Sequence, residues 1–167
     1  MRIVRFILAS VVVVGIIVTI ISLFIPSDVR ISRGIEIYSP KDSVMNQIGN
    51  PVHWKNWYPG ADSLKFYYEG NEIKGLVLDE HRKRYIVIVG KKDDEIAAEY
   101  RLPDKKIPTG WLMAANSGSG PVTIQWYMDF HLRWYPWEKF SSLMFERVYH
   151  PQLQQGLDNL KRLLEKR

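Results

Sequence analysis

The sequence contains no cysteine, and this absence removes several kinds of chemistry at once. Disulfide bonds, thiolate zinc sites, cysteine nucleophiles and a lipid-modified amino-terminal cysteine are all excluded. Histidine is scarce as well: the four residues, His53, His81, His131 and His150, form no H-x-H or H-E-x-x-H pattern. A metal site would need an accidental meeting of distant side chains. We therefore predict no metal and no cofactor.

The excess of positive charge is small. Lys and Arg total 23 against 18 Asp and Glu. Arg2 and Arg5 precede a long apolar segment, and without them the balance is 21 against 18, a net charge of +3. No basic face interleaves with aromatic residues in the way that nucleic-acid sites require. Nucleic acid is therefore not a predicted partner.

Motifs for covalent catalysis and phosphate binding are missing too. Ser119 has a glycine on each side but none two residues away, so it does not form a nucleophile elbow. No Lys followed by Ser or Thr comes after it, as a phosphate loop would need. The adjacent carboxylates at 79–80 and 93–95 fall near predicted turns, which is typical of solvated acids. We assign no catalytic residue.

What the sequence does contain is a long uncharged run, the twenty residues from Phe6 to Ile25. At about 1.5 Å per residue, a helix of this length matches a hydrocarbon core about 30 Å thick. A cleaved signal peptide is the alternative, but the run is longer than a usual signal core and no small-x-small site follows it. We predict that residues 1–27 form an uncleaved transmembrane anchor, which Pro26 ends.

The orientation of this anchor depends on the flanking charges. Arg2, Arg5 and the amino terminus lie on one side, while Arg30, Arg33 and Lys41 follow closely on the other. The Lys and Arg counts are therefore nearly balanced. We expect the short basic tail inside and residues 28–167 on the extracytoplasmic side of a single-pass membrane protein.

Two amphipathic segments near the carboxyl end predict the fold. Apolar residues occupy alternate positions from Val122 to Leu132, the period of a half-buried strand. After a break at Pro136 the period changes to that of one face of a helix of about four turns, with Pro151 at its start. This helical stripe consists of Leu153, Leu157, Leu160 and Leu164. A curved antiparallel sheet wrapped around the helix would bury both apolar faces.

Turn signals divide the rest of the chain into short elements. A first strand is predicted at 28–38, followed by a short helix after Pro40 and a second short helix or turn that carries Trp54 and Trp57. Further strands are predicted at 64–69, 73–79, 85–89, 96–102 and 109–115. A glycine-containing loop at 116–120 leads into the last strand. The fold class is therefore α+β, with about six to seven strands.

The order of elements and four short segments resemble the START-like superfamily of polyketide cyclase/dehydrase-like (SRPBCC) proteins, which have the helix-grip fold. The segments are Ile35-Glu36-Ile37-Tyr38-Ser39-Pro40, Trp54-Lys55-Asn56-Trp57-Tyr58-Pro59, the strand Val122 to Phe130, and Gly156-Leu157-Asp158-Asn159-Leu160-Lys161. The resemblance covers residues 28–167 and is closest to the branch with one anchor helix. It implies a cavity between the sheet and the last helix, which the superfamily uses for sterols, lipids, polyketides and other apolar molecules.

The residues expected to line this cavity come from the last two strands and from the short helical segment above them. They are Trp126, Met128, Phe130, Trp111, Met113 and Trp57. The alternative is that these side chains fill the core and leave no void. We predict binding of a hydrophobic or amphipathic, lipid-like small molecule. A cyclase- or hydrolase-type enzyme and a ligand-free interaction module for a membrane partner are the alternatives.

Arg33 is a further candidate site residue. It shares a strand face with Ile31 and Ile35, where an unpaired guanidinium is costly. We expect a bulge at Gly34 to turn it to solvent. Otherwise a carboxylate of the protein or of a ligand meets it inside, and Arg33 would then hold the acidic head of an amphiphile.

The densest aromatic cluster, Trp134, Tyr135 and Trp137, surrounds Pro136 between the last strand and the last helix. We expect these residues to close the end of the sheet. The alternative is contact with a membrane interface, where such side chains are enriched.

Overall fold

A computed structural model describes residues 2–115 and 120–166, apart from the side chain of Ala115. Four α-helices and seven strands lie within these residues. The helices are α1 (Arg2–Leu23), α2 (Lys41–Gly49), α3 (Pro136–Ser142) and α4 (Phe145–Glu165). The strands are β1 (Asp28–Ile37), β2 (Lys65–Glu69), β3 (Glu72–Asp79), β4 (Arg84–Lys91), β5 (Glu95–Arg101), β6 (Lys106–Ala115) and β7 (Val122–His131). Two 3₁₀ segments, Pro51–Asn56 and Ala61–Ser63, connect α2 to β2.

The strands form one antiparallel sheet in the order β1-β7-β6-β5-β4-β3-β2. Consecutive strands from β2 to β7 pair as hairpins, and β1 joins the far side of β7. Gly70 allows the tight turn between β2 and β3, because its φ of 65° is readily adopted only by glycine. The predicted α+β sheet is confirmed. The loop predicted at 116–120 lies outside the described residues except for Gly120.

The sheet buries its inner face against α4 and α2. On β7 the inward residues Val122, Ile124, Trp126, Met128 and Phe130 are buried, as the alternation predicts. Leu153, Leu157 and Leu160 of α4 face them and are equally buried. Burial of both apolar faces in one core therefore holds the helix in the sheet, which is the helix-grip arrangement.

The last helix is longer than the sequence analysis expected. It begins at Phe145, so Pro151 lies inside it and not at its start. Phe145 and Tyr149 pack on the core at four-residue steps before Leu153, so the helical stripe continues upstream of the proline. The packing of these residues compensates for the hydrogen bond that the proline nitrogen cannot donate.

Several residues of the segments that resemble the START-like superfamily make close contacts between α2, the first 3₁₀ segment and α4. Trp54 Nε1 donates to the Ile48 carbonyl at 2.6 Å and Trp57 Nε1 donates to the Gln47 carbonyl at 3.2 Å, which satisfies free carbonyls at the end of α2. On α4, Asn159 Nδ2 donates to the Trp57 carbonyl at 3.0 Å. A Cβ on Gly156 would lie 2.5 Å from Trp126 Cζ3. Glycine is therefore the residue that lets α4 approach Trp126.

Helix α1 is long and apolar enough to cross a membrane. Nearly all of its side chains are exposed, and Ser22, near its end, is the buried exception. A membrane anchor and a signal sequence share this length and composition. The helix ends at Leu23, slightly before the predicted stop at Pro26.

Helix α3 was not predicted, and it changes the account of the aromatic cluster beside it. Trp134 and Trp137 are 63% and 68% exposed. Trp137 stacks on Tyr135 with ring centroids 4.9 Å apart, and Trp134 is tilted against the same ring at 4.8 Å. The expectation that they close the end of the sheet is therefore wrong. Pro136 at the first position of a short helix turns both indoles outward.

Candidate functional site

Four tryptophans fill one half of the space between the sheet and α4. Trp57, Trp111 and Trp126, all predicted to line a cavity, meet Trp54, and each of the four is at most 1% exposed. Their ring centroids lie 5.1 to 6.4 Å apart in mostly tilted and edge-on contacts. This spacing is typical of close aromatic packing. The tryptophan cluster therefore forms a solid core.

The polar atoms of this cluster are mostly satisfied inside the protein. Trp126 Nε1 donates to Thr109 Oγ1 at 3.0 Å, and that hydroxyl donates to the Tyr127 carbonyl at 2.5 Å. Within the described part of the chain, the buried Trp111 Nε1 has no hydrogen-bond partner. An unpaired buried N–H lowers stability, so the packing of this indole must offset the cost.

A cavity of about 420 Å³ lies in the other half of the space between the sheet and α4. This volume is in the range of roughly 300 to 1,000 Å³ that is usual for small-molecule sites. Its walls come from β3 to β7, from the start of α4 and from the segment after the first 3₁₀ turn. The lining residues include Tyr58, Leu78, Tyr100, Leu102, Ile107, Met128, Tyr149 and Gln152. Of the predicted cavity residues, Met128 is in this set.

Two tyrosine hydroxyls meet at the wall of the cavity. The hydroxyls of Tyr58 and Tyr100 are hydrogen-bonded to each other, and Gln152 Nε2 donates to the Tyr58 oxygen at 3.4 Å. The pair has two hydroxyl protons, but the bond between the tyrosines uses one of them. Whichever tyrosine donates, the other proton has no acceptor among the described residues. The wall therefore offers one hydrogen-bond donor to an incoming molecule.

Burial keeps these tyrosines protonated. It raises the pKa of Tyr58 well above its ordinary value, and the neighbouring Tyr100 raises it further. Burial also raises the pKa of Tyr100 and of Tyr149. A phenol with a raised pKa is a poor base and a persistent donor near neutral pH. The tyrosines are suited to hydrogen-bonding an acceptor and not to removing a proton.

Charged residues surround the mouth of the cavity. Arg101 pairs with Glu99 and Glu69, at 3.3 and 3.4 Å. Asp79 accepts from the backbone of Arg82 at 3.0 Å. Arg84 also lines the cavity, and among the described residues it forms no salt bridge. The mouth therefore carries one cation that is available to an anionic group.

The other predicted cavity residues lie around the cavity and the cluster. Met113 is buried near the tryptophans. Phe130 packs against Phe145 and Tyr149, with ring centroids 4.6 and 5.0 Å away, and borders a second cleft beside α3. Direct ligand contact by these two residues and by the three tryptophans stays a prediction.

Arg33 points to the inner side of β1, and the bulge expected at Gly34 is not there. The pairing of β1 with β7 continues without a register shift, with Arg33 opposite Trp126 and Gly34 opposite Gln125. The Arg33 guanidinium donates to Glu146 Oε1 and to His150 Nδ1, both at 2.6 Å. A protein carboxylate, that of Glu146 on α4, therefore pairs with this arginine at the edge strand of the sheet. Arg33 is not among the residues that line the cavity.

The sequence analysis missed Tyr58, Tyr100, Tyr149 and Gln152. A signal for Tyr100 was present, because Ile96, Ala98 and Tyr100 alternate on β5 as inward residues do, and Leu102 continues the pattern just after it. Tyr149 continues the stripe of α4 toward its amino end. Gln152 carried no signal, since a polar residue beside an apolar stripe is usually solvated.

Solved structures of very different sequence have the same fold. Norcoclaurine synthase from Thalictrum flavum matches 84% of this chain and 95% of its own, at a TM-score of 0.62 and 9% identity. The protein XoxI from Bacillus cereus matches 82% of this chain and 96% of its own, at 0.59 and 14%. The di-domain ARO/CYC BexL from the BE-7585A biosynthetic pathway matches 84% of this chain and 51% of its own, at 0.60 and 14%.

These likenesses show the fold: the chain has the helix-grip architecture that the resemblance implied. At 9 to 14% identity they show nothing finer. No protein-family model and no curated protein matches the sequence. The function must therefore be argued from the cavity.

Proposed function

We propose that this protein is a membrane-tethered domain that binds a hydrophobic or amphipathic small molecule carrying a hydrogen-bond acceptor. The observation that supports this most directly is the cavity beside the tryptophan cluster, whose wall combines apolar side chains with one unused tyrosine hydroxyl proton. A buried donor of this kind favours ligands with a carbonyl, carboxylate or phosphate oxygen.

The proposed ligand lies with its apolar part against Leu78, Ile107 and Met128. Its acceptor oxygen takes the free proton of the Tyr58–Tyr100 pair. An anionic group at its other end lies near Arg84 at the mouth. The tryptophan cluster serves as a rigid support, because Tyr58 stacks on Trp54 and contacts Trp126, with ring centroids 6.0 and 5.6 Å away.

The tether is α1. In this proposal α1 crosses the bilayer as an uncleaved anchor, and residues 28–167 lie on the extracytoplasmic side. Its 22 residues span about 33 Å at 1.5 Å each, comparable to the hydrocarbon core. The exposed apolar surface around the whole helix supports lipid contact, since water would have to solvate it otherwise.

The alternative is that the protein is an enzyme of cyclase or hydrolase type. The fold that it shares with norcoclaurine synthase and BexL suggests this possibility. In that case the tyrosines, which their raised pKa values keep protonated near neutral pH, would hydrogen-bond and polarise the reacting oxygen of the substrate. Conversion of a bound molecule, followed by mass spectrometry, distinguishes turnover from binding.

The experiment that tests binding uses the full chain in detergent. Native mass spectrometry and lipid extraction identify any co-purified molecule, and a dansyl-labelled fatty acid serves as the probe. Leu78→Trp should fill the cavity and abolish probe binding. Leu112→Trp, on the opposite face of the same sheet, is the matched control and should bind normally. Equal binding by both variants, each with native near-UV circular dichroism, would refute the proposed cavity.

A further inference from the structure

Exposed apolar side chains are concentrated at one end of the domain. After Phe24, nine large hydrophobic residues are exposed in the described part of the chain, and five of them lie between positions 134 and 148. These five, here called the apolar rim, are Trp134, Trp137, Leu143, Met144 and Val148. The other four, at 38, 52, 68 and 89, are scattered singly over the remaining sequence. A concentrated apolar surface of this kind marks a contact site.

The apolar rim is attached to the end of α1. Helix α3, which carries Trp137, packs on the last part of α1, where Ser22 is buried. Lys139 of α3 is only 4% exposed. Its Nζ donates to the Ile25 carbonyl at 2.8 Å and to Ser27 Oγ at 2.7 Å. These bonds satisfy an ammonium group that would otherwise be costly to bury. Lys139 therefore fixes the segment after α1 to α3.

This attachment sets the depth of the apolar rim. If α1 spans the hydrocarbon core, its last turn lies at the boundary between lipid tails and headgroups. Because α3 contacts that turn, α3 is held at the same level. Tryptophan and tyrosine are the residues most enriched there, and Trp134, Tyr135 and Trp137 are packed together at this point. Both position and composition fit a lipid surface.

We infer that the apolar rim inserts into the interface of the same bilayer that α1 crosses, so that the domain lies with α3 against lipid. This inference rests on the proposed membrane tether. Charges of both signs surround the rim, including Arg133 paired with Glu138 at 2.7 Å. No preference for anionic over zwitterionic lipid is therefore expected.

The absence of cysteine permits a clean test in the full chain. Leu143→Cys reports on the apolar rim, Val89→Cys is an exposed apolar control on the sheet, and Val13→Cys reports on α1. Each variant is labelled with a nitrobenzoxadiazole fluorophore and reconstituted into phosphatidylcholine vesicles, with doxyl groups at shallow or deep positions of the lipid. We expect deep quenching at 13, shallow quenching at 143 several-fold above background, and quenching at 89 no stronger than background.

The outcomes separate the two proposals. Quenching at 13 with position 143 no different from 89 would overturn membrane docking and leave the tether intact. No quenching at 13 would overturn the tether and the docking that rests on it. A blue-shifted fluorophore at 143 that lipid doxyl groups do not quench would show a protein contact and would also overturn docking by lipid.

Lys139→Met tests the attachment itself. Methionine keeps most of the length of the unbranched side chain but removes both hydrogen bonds to Ile25 and Ser27. Quenching at 143 should fall several-fold while quenching at 13 stays the same. Lys161→Met, on α4, is the control. Unchanged quenching at 143 in the Lys139 variant would show that this lysine does not hold the rim at the bilayer.

Discussion

The two halves of the space between sheet and helix differ in how they are filled. In one half Trp54, Trp57, Trp111 and Trp126 pack closely on one another, and Gly156 lets α4 approach them. In the other half, about one turn earlier on α4, Gln152 and Tyr149 face β3 to β6 and a cavity remains. The same sheet and the same helix, α4, enclose both halves. Side-chain size on the helix therefore decides where a cavity remains.

Tyr58 lies at the boundary between the halves. Its ring stacks on Trp54, whereas its hydroxyl belongs to the cavity wall. Packing against the tryptophan cluster thus positions the Tyr58 hydroxyl in the wall of the cavity. Variants that affect one half and spare the other should show how independent the two are.

The largest effect is expected from Trp126→Ala, which removes a fully buried indole from the tryptophan cluster. The free energy of unfolding should fall by about 3 to 5 kcal/mol, as for large aromatic truncations in cores. Denaturant unfolding of the full chain in detergent measures this. Trp137→Ala, an exposed position, is the control, and a similar loss in both variants would contradict a solid core.

Gly156→Ala should be the next most harmful change. The added Cβ would lie 2.5 Å from Trp126 Cζ3, so α4 must shift away from the sheet. Overpacking of this kind costs about 1 to 3 kcal/mol. Thermal unfolding compares it with Gln155→Ala at an exposed neighbouring position. If Gly156→Ala is as stable as the control, close approach of the helix is not required.

The open half should make stability sensitive to alkaline pH. Burial raises the pKa of Tyr58 and Tyr100, so the folded protein keeps protons that the unfolded chain releases above about pH 10. Stability is therefore complete below pH 10 and falls as pH rises, by about 1.4 kcal/mol per pH unit for each such tyrosine.

Tyr100→Phe should reduce that slope by the contribution of one proton. Urea unfolding at several pH values between 9 and about 11.5 measures it, over the range where unfolded tyrosine titrates. The same substitution at the exposed Tyr38 is the matched control. An equal change of slope in the two variants would show that the buried pair is not the cause.

The smallest effect is expected for Arg33→Ala. The pair between Arg33 and Glu146 is partly solvated, since the glutamate is 69% exposed, and such pairs contribute about 0 to 1 kcal/mol. Because Arg33 does not line the cavity, binding of the dansyl fatty acid should not change. Loss of the probe would instead support the hypothesis that Arg33 holds an acidic head.

Much of the fold was predictable, since strand and helix periods depend on local sequence. The alternation from Val122 to Leu132 and the leucine stripe after Pro151 identified the last strand and helix correctly. The start of α4 was placed too late because a proline inside a helix is usually unfavourable. Phe145 and Tyr149 showed that the stripe continues, and their burial outweighs the lost hydrogen bond.

The site was much less predictable. The inward faces of the strands identified large aromatics correctly, but the same pattern describes a packed core and a cavity wall. Whether Trp126 and Trp57 leave a void depends on Gly156, which lies far from both in sequence. The partner of Arg33 likewise comes from Glu146, more than a hundred residues away. Such pairings become visible only in three dimensions.

The connection between α1 and the sheet also has a mechanical consequence. Only residues 24–27 separate the end of α1 from β1, and three hydrogen bonds fix this link: two from Lys139 and one from the Leu132 backbone to the Ser27 carbonyl at 2.7 Å. A flexible linker would let α1 change its tilt without moving the sheet. If α1 spans a bilayer as proposed, a change in its tilt would be transmitted through these bonds to α3 and to the end of β7, so a change in bilayer thickness would strain the edge of the sheet.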